Sequence, residues 1–371
     1  VVQWGNFLLV RGVDNNQRVN FRLKYKPTLF VPVMKQTDWK TLDGKSVTPY
    51  QFDCIKDAKD FLLKYESQPH LVHGLNRFAY TYISDTFPQK VNWNIDKLLI
   101  MTIDIEVQCE NGFPNPESAI EPLLSITVKN QQSKKIIVWG IQPYKNTRED
   151  VTYIRCPNEH DLIMEFMSFW TKNYPDVITG WNTDFFDIPY LANRIKQVCG
   201  EDKMRELSPW KNVSARQIYS MGRNHLMYDI MGVSQYDYLQ LYQKFTYTRQ
   251  ESYKLDYIAS VELGEKKDEN PYETFREWYE NDFQSFIDYN IQDVEIVDKL
   301  EDKMGLIDLA LTMAYEGKVN YSDVFGQVKY WDILIYNFLR KRKIVIPQKS
   351  SHSKNEQYEG AYVKEPITGL H

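Results

Sequence analysis

The chain has 371 residues, enough for two or three domains at roughly 150 residues each. With 43% hydrophobic and 14% aromatic residues, it reads as globular and not disordered. The formal net charge of −5 excludes a general polyanion coat, so any nucleic acid must be met locally.

Residues 1–97 read as a β-rich module. "FLLVRGVDNNQRVNFRLKYKPTLFVPV" carries two strand-like runs around Asp14-Asn15-Asn16, and "DAKDFLLKYES" a short helix. "LLIMTIDIEV" (98–107) then reads as a strand covered on both faces. "LLSITVKN" and "KKIIVWGI" are further strands. "EHDLIMEFMSFWTKNYP" is an amphipathic helix with Leu162, Phe166, Phe169 and Trp170 inward. "DVITGW" is a strand, and "DIPYLANRIKQVCG" a helix closed by Gly200. "ARQIYSMGRNHLMYDIM" predicts a hairpin turning at Gly222. A long helix runs from Phe283 towards Ala314 with a break at Gly305, and "VKYWDILIYNFLRKRK" predicts another. Strands alternating with helices make the middle an α/β domain.

Chemistry is narrowed by absence. Four scattered Cys form no CxxC pair and read as free thiols of a reducing cytosol. Six His show no zinc spacing, and GxGxxG and P-loop patterns are missing. No apolar run approaches the roughly 18 residues of a membrane span, so no membrane partner is expected.

Three acidic stretches stand out. Asp104 and Glu106 share one face of the opening strand, about 7 Å apart. They lie towards its C-terminal end, where open α/β sheets place their sites. Held together they repel, and a divalent cation removes that cost; acids facing solvent at a strand end are the plainer reading. Asp187, in "TGWNTDFFDIPYL", enters a helix at the same rim, or caps that helix. In "FIDYNIQDVEIVDKL", Asp293 falls on the apolar stripe of Phe286, Tyr289, Ile296, Val297 and Leu300. Asp288, Glu295 and Asp298 read as the solvated face. A buried Asp293 calls for either a Lys or Arg partner or a metal shared with the strand pair. Oxygen-only ligands suit Mg²⁺ or Mn²⁺.

"LYQKFTYTRQESYK" interleaves Tyr242, Lys244, Phe245, Tyr247, Arg249 and Tyr253. It reads as an aromatic strand, either a single-stranded DNA path or core.

"DIE" (104–106), "NTDFFD" (182–187) and "YNIQD" (289–293) resemble the three exonuclease motifs of family B DNA polymerases, of the Asp-Glu-Asp-Asp-Tyr proofreading type. "YKPTLFVPV", "TYISDTF", "DYLQLYQKFTYT" and "YEGAYVKEPI" are similar to segments of T-even-type phage polymerases. The resemblance implies a ribonuclease H-like exonuclease domain over 98–305, with a mixed central sheet flanked by helices. It implies a β-rich α+β N-terminal domain over 1–97, joined by 306–348, and a linker over 349–371 leading towards a palm domain.

The implied activity is 3′→5′ proofreading of single-stranded or frayed DNA ends with two Mg²⁺ or Mn²⁺ ions. Asp104, Glu106 and Asp293 would hold metal, Asp187 would be the fourth acid, and Tyr289 would orient the attacking water. Asn182 and Phe185 would touch the 3′ end, the Gly222 hairpin would separate primer from template, and Tyr358 and Gly360 would meet template. Lys244, Phe245 and Arg249 complete the DNA-binding set. Lys254 departs from the family, which carries Ser or Thr there.

The palm motifs that hold the polymerase metals are absent from the sequence. The expected partners are therefore primer-template DNA and a polymerase portion on a missing segment or separate chain, with a sliding clamp reached through that portion. The expected setting is the cytoplasm of an infected bacterium. The alternative is a DNA-binding subunit of a split polymerase that needs the polymerase chain for activity.

Overall fold

The structure is a computed structural model that describes residues 1–14, 17–109, 112–220, 222–265 and 270–348. Tyr358 and Gly360 lie outside the described residues.

The chain opens with β1 (Val2–Trp4), β2 (Phe7–Asp14) and β3 (Gln17–Lys24). These pair antiparallel in that order, with Asp14 opposite Gln17. Next come β4 (Thr28–Pro32), β5 (Trp39–Thr41), β6 (Ser46–Gln51), α1 (Ile55–Lys64) and α2 (Phe78–Thr86). The central segment runs β7 (Ile100–Val107), β8 (Leu123–Asn130), β9 (Ile136–Gly140), β10 (Val151–Arg155), α3 (Glu159–Lys172), β11 (Val177–Gly180), α4 (Asp187–Cys199) and α5 (Glu201–Arg205). It continues with the hairpin β12 (Val213–Ser220) and β13 (Arg223–Ile230), then β14 (Ser234–Asp237), α6 (Tyr238–Phe245), α7 (Leu255–Leu263) and α8 (Phe275–Asn281). The last elements are α9 (Phe283–Met304), α10 (Leu306–Gly317), α11 (Gln327–Lys341) and β15 (Ile344–Val345).

Two compact units emerge. One is Val1–Tyr25 with Ala79–Asn337; the other is Lys26–Phe78 with the described residues from Phe338 on. The smaller unit holds a sheet ordered β15-β5-β6-β4, packed through Phe30, Val47, Val345 and Trp39.

The larger unit is built on a mixed sheet ordered β10-β9-β8-β7-β11-β14. β7, β11 and β14 run parallel, and β7–β8 and β8–β9 pair antiparallel. On β7, Met101, Ile103, Ile105 and Val107 point to one face. There they join Leu162, Ile163, Phe166 and Trp170 of α3 and Ile188, Leu191 and Ile195 of α4. The opposite face receives α9, whose Phe286, Ile287, Ile291 and Val294 pack with Leu124, Ile136 and Val138. Helices thus cover both faces of a mixed sheet, as the fold class requires.

Gly305 ends α9 in the left-handed conformation, φ +62°, where a Cβ would be strained. The hairpin closes at Gly222, φ +80°.

Three readings are corrected. The stretch beginning at Leu241, read as an aromatic strand, is helical through Phe245. Asp237 caps α6 by accepting the Leu239 N–H, and Tyr238, Leu239, Leu241 and Tyr242 form its buried stripe. Strands β10 and β14 were not expected. Asp298 is not on a solvated face of α9: it is buried and paired with Lys129 of β8 at 2.8 Å and Lys134 at 2.8 Å.

Candidate active site

The alternation that buries Ile103 and Ile105 under α3 and α4 turns Asp104 and Glu106 to the other face, towards α9. Opposite them on β8 stand Thr127 and Ser125. Asp293 descends from α9 onto this surface. One carboxylate oxygen from each of Asp104, Glu106 and Asp293 lies within 4.8 Å of the other two. The structure therefore brings together the strand pair and the helix acid.

Asn290 completes this surface, and the sequence reading missed it. It is 0% exposed. Its side-chain oxygen accepts from Ser125 Oγ (3.0 Å) and from the Thr127 hydroxyl, and its Nδ2 donates to Asp104 Oδ2 at 2.5 Å. Two hydroxyls on β8 fix the amide, and the amide fixes one carboxylate oxygen of Asp104. The only sequence signal was a polar residue on the buried stripe of α9, three positions before Asp293.

Asp187 is not among these clustered acids; it is held against β7 from another direction. β11 pairs with β7 only as far as Thr179 opposite Thr102, so the Ile105 N–H lies beyond that ladder. Asp187 Oδ1 accepts it at 3.1 Å. The capping reading is corrected: the N-cap is Phe186, and the Asp187 carboxyl goes to β7 instead. Close approach makes this possible. A Cβ on Gly180 would lie 2.5 Å from the Ile103 carbonyl oxygen, so glycine lets the turn pass β7. Burial pushes the Asp187 carboxyl up to about 8, and the charges of Asp237 and Asp293 add to the shift.

The remaining residues are distributed around this centre. Tyr289, on α9, packs its ring edge-on against Trp278 (4.9 Å) and Phe275 (6.1 Å). Asn182 sits at the turn with φ +63°, and its N–H donates to Asp237 Oδ1. The Phe185 ring lies 4.6 Å from that of His225 on β13. Phe113, which the sequence reading did not single out, is 82% exposed with its ring 5.0 Å from Phe186. Lys244 hydrogen-bonds the Phe325 carbonyl at 3.2 Å and Tyr242 is buried, so these two do not present a free basic-aromatic track. Phe245 is half-buried and Arg249 is exposed. Lys254 stands at the N-cap of α7 with no side-chain cap bond, as expected of a residue that cannot accept one.

The donor set consists of carboxylate oxygens alone, held on rigid elements and concentrated on one side of a sheet. That set fits a hard divalent cation such as Mg²⁺ or Mn²⁺ and not a thiolate- or imidazole-seeking metal. Among the described residues, no helix is long and apolar enough to cross a membrane.

The model of the DNA polymerase family B exonuclease domain matches residues 76–258. The chain is 34% identical to the DNA-directed DNA polymerase of Escherichia phage RB69, over 99% of this chain and 44% of that protein. It is 33% identical to the DNA-directed DNA polymerase of Enterobacteria phage T4, over 98% of this chain and 43% of that protein. A DNA polymerase delta catalytic subunit of Candida albicans is 27% identical over 76% of this chain and 29% of that protein. The chain thus spans under half the length of these relatives. On its matched residues, its mixed sheet and its carboxylate surface, the chain belongs to the family B DNA polymerases, whose exonuclease domain it carries.

Proposed function

We propose that this chain is a metal-dependent 3′→5′ exonuclease that removes nucleotides from single-stranded or frayed DNA 3′ ends. The observation that carries it is the convergence of Asp104, Glu106 and Asp293 within 4.8 Å. These three, with Asp187, would hold two Mg²⁺ or Mn²⁺ ions. Bound there, the ions supply activation of water and charge stabilisation of the leaving oxygen of a phosphodiester.

The chain's own residues do the positioning. Asn290 holds Asp104 in one rotamer. The Ile105 N–H holds Asp187 against β7. Tyr289 orients the attacking water through its hydroxyl. Asn182 and Phe185, on the loop that leads to Asp187, receive the unpaired 3′ nucleotide, and the exposed ring of Phe113 offers a stacking surface. Arg249 and the β12–β13 hairpin are proposed as outlying DNA contacts. The longer phage relatives are named DNA-directed DNA polymerases. We extend the proposal accordingly: the chain supplies the editing function of such an enzyme and acts on primer-template DNA in the host cytoplasm, beside a polymerase portion that engages any clamp.

The test is trimming of a 5′-labelled oligonucleotide in Mg²⁺. The parent chain should shorten it stepwise from the 3′ end, and the Asp104→Ala, Glu106→Ala double variant should not. Equal trimming by both would remove the assignment.

A further inference from the structure

Asp237 is the last residue of β14, opposite Gly180 at the end of β11. It is wholly buried, and beside the Gln240 side chain it accepts backbone amides drawn from two segments. Its Oδ1 accepts the Leu239 N–H (2.9 Å) and the Asn182 N–H (3.0 Å), and its Oδ2 accepts the Asp184 N–H (3.2 Å). Only the first of these bonds is a helix cap. The other two grip the loop that leaves β11, turns at Asn182 in the left-handed conformation, and delivers Asp187 to the Ile105 N–H. Within that loop the Asn182 carbonyl accepts the N–H groups of Phe185 and Phe186, so fixing residue 182 fixes the start of α4.

We propose that Asp237 is a positioning residue of the exonuclease site. It holds the Asn182–Asp187 loop by its amides and thereby seats Asp187 against the Ile105 N–H. This rests on the exonuclease reading of the site. A carboxylate is suited to the task because it accepts on both oxygens and donates on neither. Outer groups of this kind hold the inner ones in place, and their loss costs about 10–100-fold in metal affinity or activity.

Two variants separate this role from the helix cap. Asp237→Ser keeps a good N-cap for α6 but is too short to reach the loop. Asp237→Asn keeps one acceptor oxygen and turns an NH₂ towards the remaining amide. Ser208→Ala, which removes a buried hydrogen bond to the Met231 carbonyl, reports what simple destabilisation does.

The full chain is assayed for kcat and KM on a labelled oligonucleotide, for Mn²⁺ binding by calorimetry, and for melting temperature. The expected order of kcat is parent, then Asp237→Asn, then Asp237→Ser, with a loss of about 10–100-fold in the serine variant, weaker Mn²⁺ binding and a higher KM, because Asn182 and Phe185 ride on the same loop. Ser208→Ala should lower the melting temperature and leave kcat and Mn²⁺ affinity alone. Parent-like Mn²⁺ binding and kcat in a folded Asp237→Ser or Asp237→Asn variant overturns the proposal. A parent that binds Mn²⁺ and does not trim overturns the nuclease reading, and the calorimetry of the variants then decides the positioning role by itself.

Discussion

Asn290 on α9 and Asp104 on β7 are joined across the face of the central sheet by a 2.5 Å hydrogen bond from the amide Nδ2 to the carboxylate. The amide is anchored from behind by Ser125 and Thr127. The rotamer of the first acid of the site is therefore set by a neutral group one turn away from the third acid.

Replacing Asn290 with Ala removes the acceptor for both hydroxyls and the donor for Asp104. Leaving buried polar groups unpaired costs about 1–3 kcal/mol, which denaturant unfolding would register. The trimming rate should fall at the same time, because Asp104 loses its fixed orientation. Asn290→Asp keeps the acceptor and replaces the donor with a like charge facing Asp104, so it should fold and trim poorly. Parent-like rates in both variants would show that Asn290 only fills space.

Metal binding should couple to stability. A ligand that binds the folded chain alone adds about 2.7 kcal/mol at a hundred times its Kd. In thermal scans, Mn²⁺ should raise the melting temperature of chelator-treated protein, and Asp293→Asn should weaken that response. An unchanged Mn²⁺ response in the Asp104→Ala, Glu106→Ala double variant would place the ion elsewhere.

Much of this site was legible because its residues violate local rules. Asp104 and Glu106 interrupt a strand that is otherwise apolar on both faces, and Asp293 interrupts a helical stripe. Gly305 and Gly222 mark their breaks because glycine meets no steric cost at positive φ. Asn290 was not legible, since a neutral amide on a buried stripe shows no conflict until its hydroxyl partners on β8 are known. Asp237 hid in a four-residue strand. The stretch at 238–245 misled because aromatic residues suit strands and buried helices alike, and only the cap by Asp237 settles which. Asp298 looked solvated because its partner, Lys129, arrives from a distant strand.

That last pair makes a prediction of its own. Lys129 and Asp298 are both buried and 2.8 Å apart. Asp298→Ala leaves an ammonium uncompensated in the interior, which costs about 3–5 kcal/mol. Asp302, which is exposed and 3.0 Å from Lys134, should cost about 0–1 kcal/mol on the same change, as surface pairs do. Urea unfolding of the two variants compares them directly; equal losses would mean that the Lys129 ammonium finds water or another partner.

Asp184 sets a pH dependence. It is buried, its Oδ2 accepts from Gln240 Nε2, and its Oδ1 has no hydrogen-bond partner among the described residues. Burial first, and then the charge of Asp237, raise its carboxyl from an ordinary 3.8 to about 8. A group whose folded value is raised binds its proton more tightly when folded, so its contribution to stability is complete below the unfolded value. That contribution is lost as pH rises through the folded one. In chelator, the parent should therefore lose stability between pH 4 and pH 8, by at most about 1.4 kcal/mol per pH unit for each proton involved. Asp184→Asn is neutral throughout and still offers an oxygen to Gln240. It should flatten the slope, matching the parent at low pH and exceeding it at pH 8. Urea unfolding of both chains at pH 5 and pH 8 measures this. A parent whose stability does not fall, or an Asn variant no more stable at pH 8, would mean that Asp184 is already ionised in the fold and is balanced by a group other than Gln240.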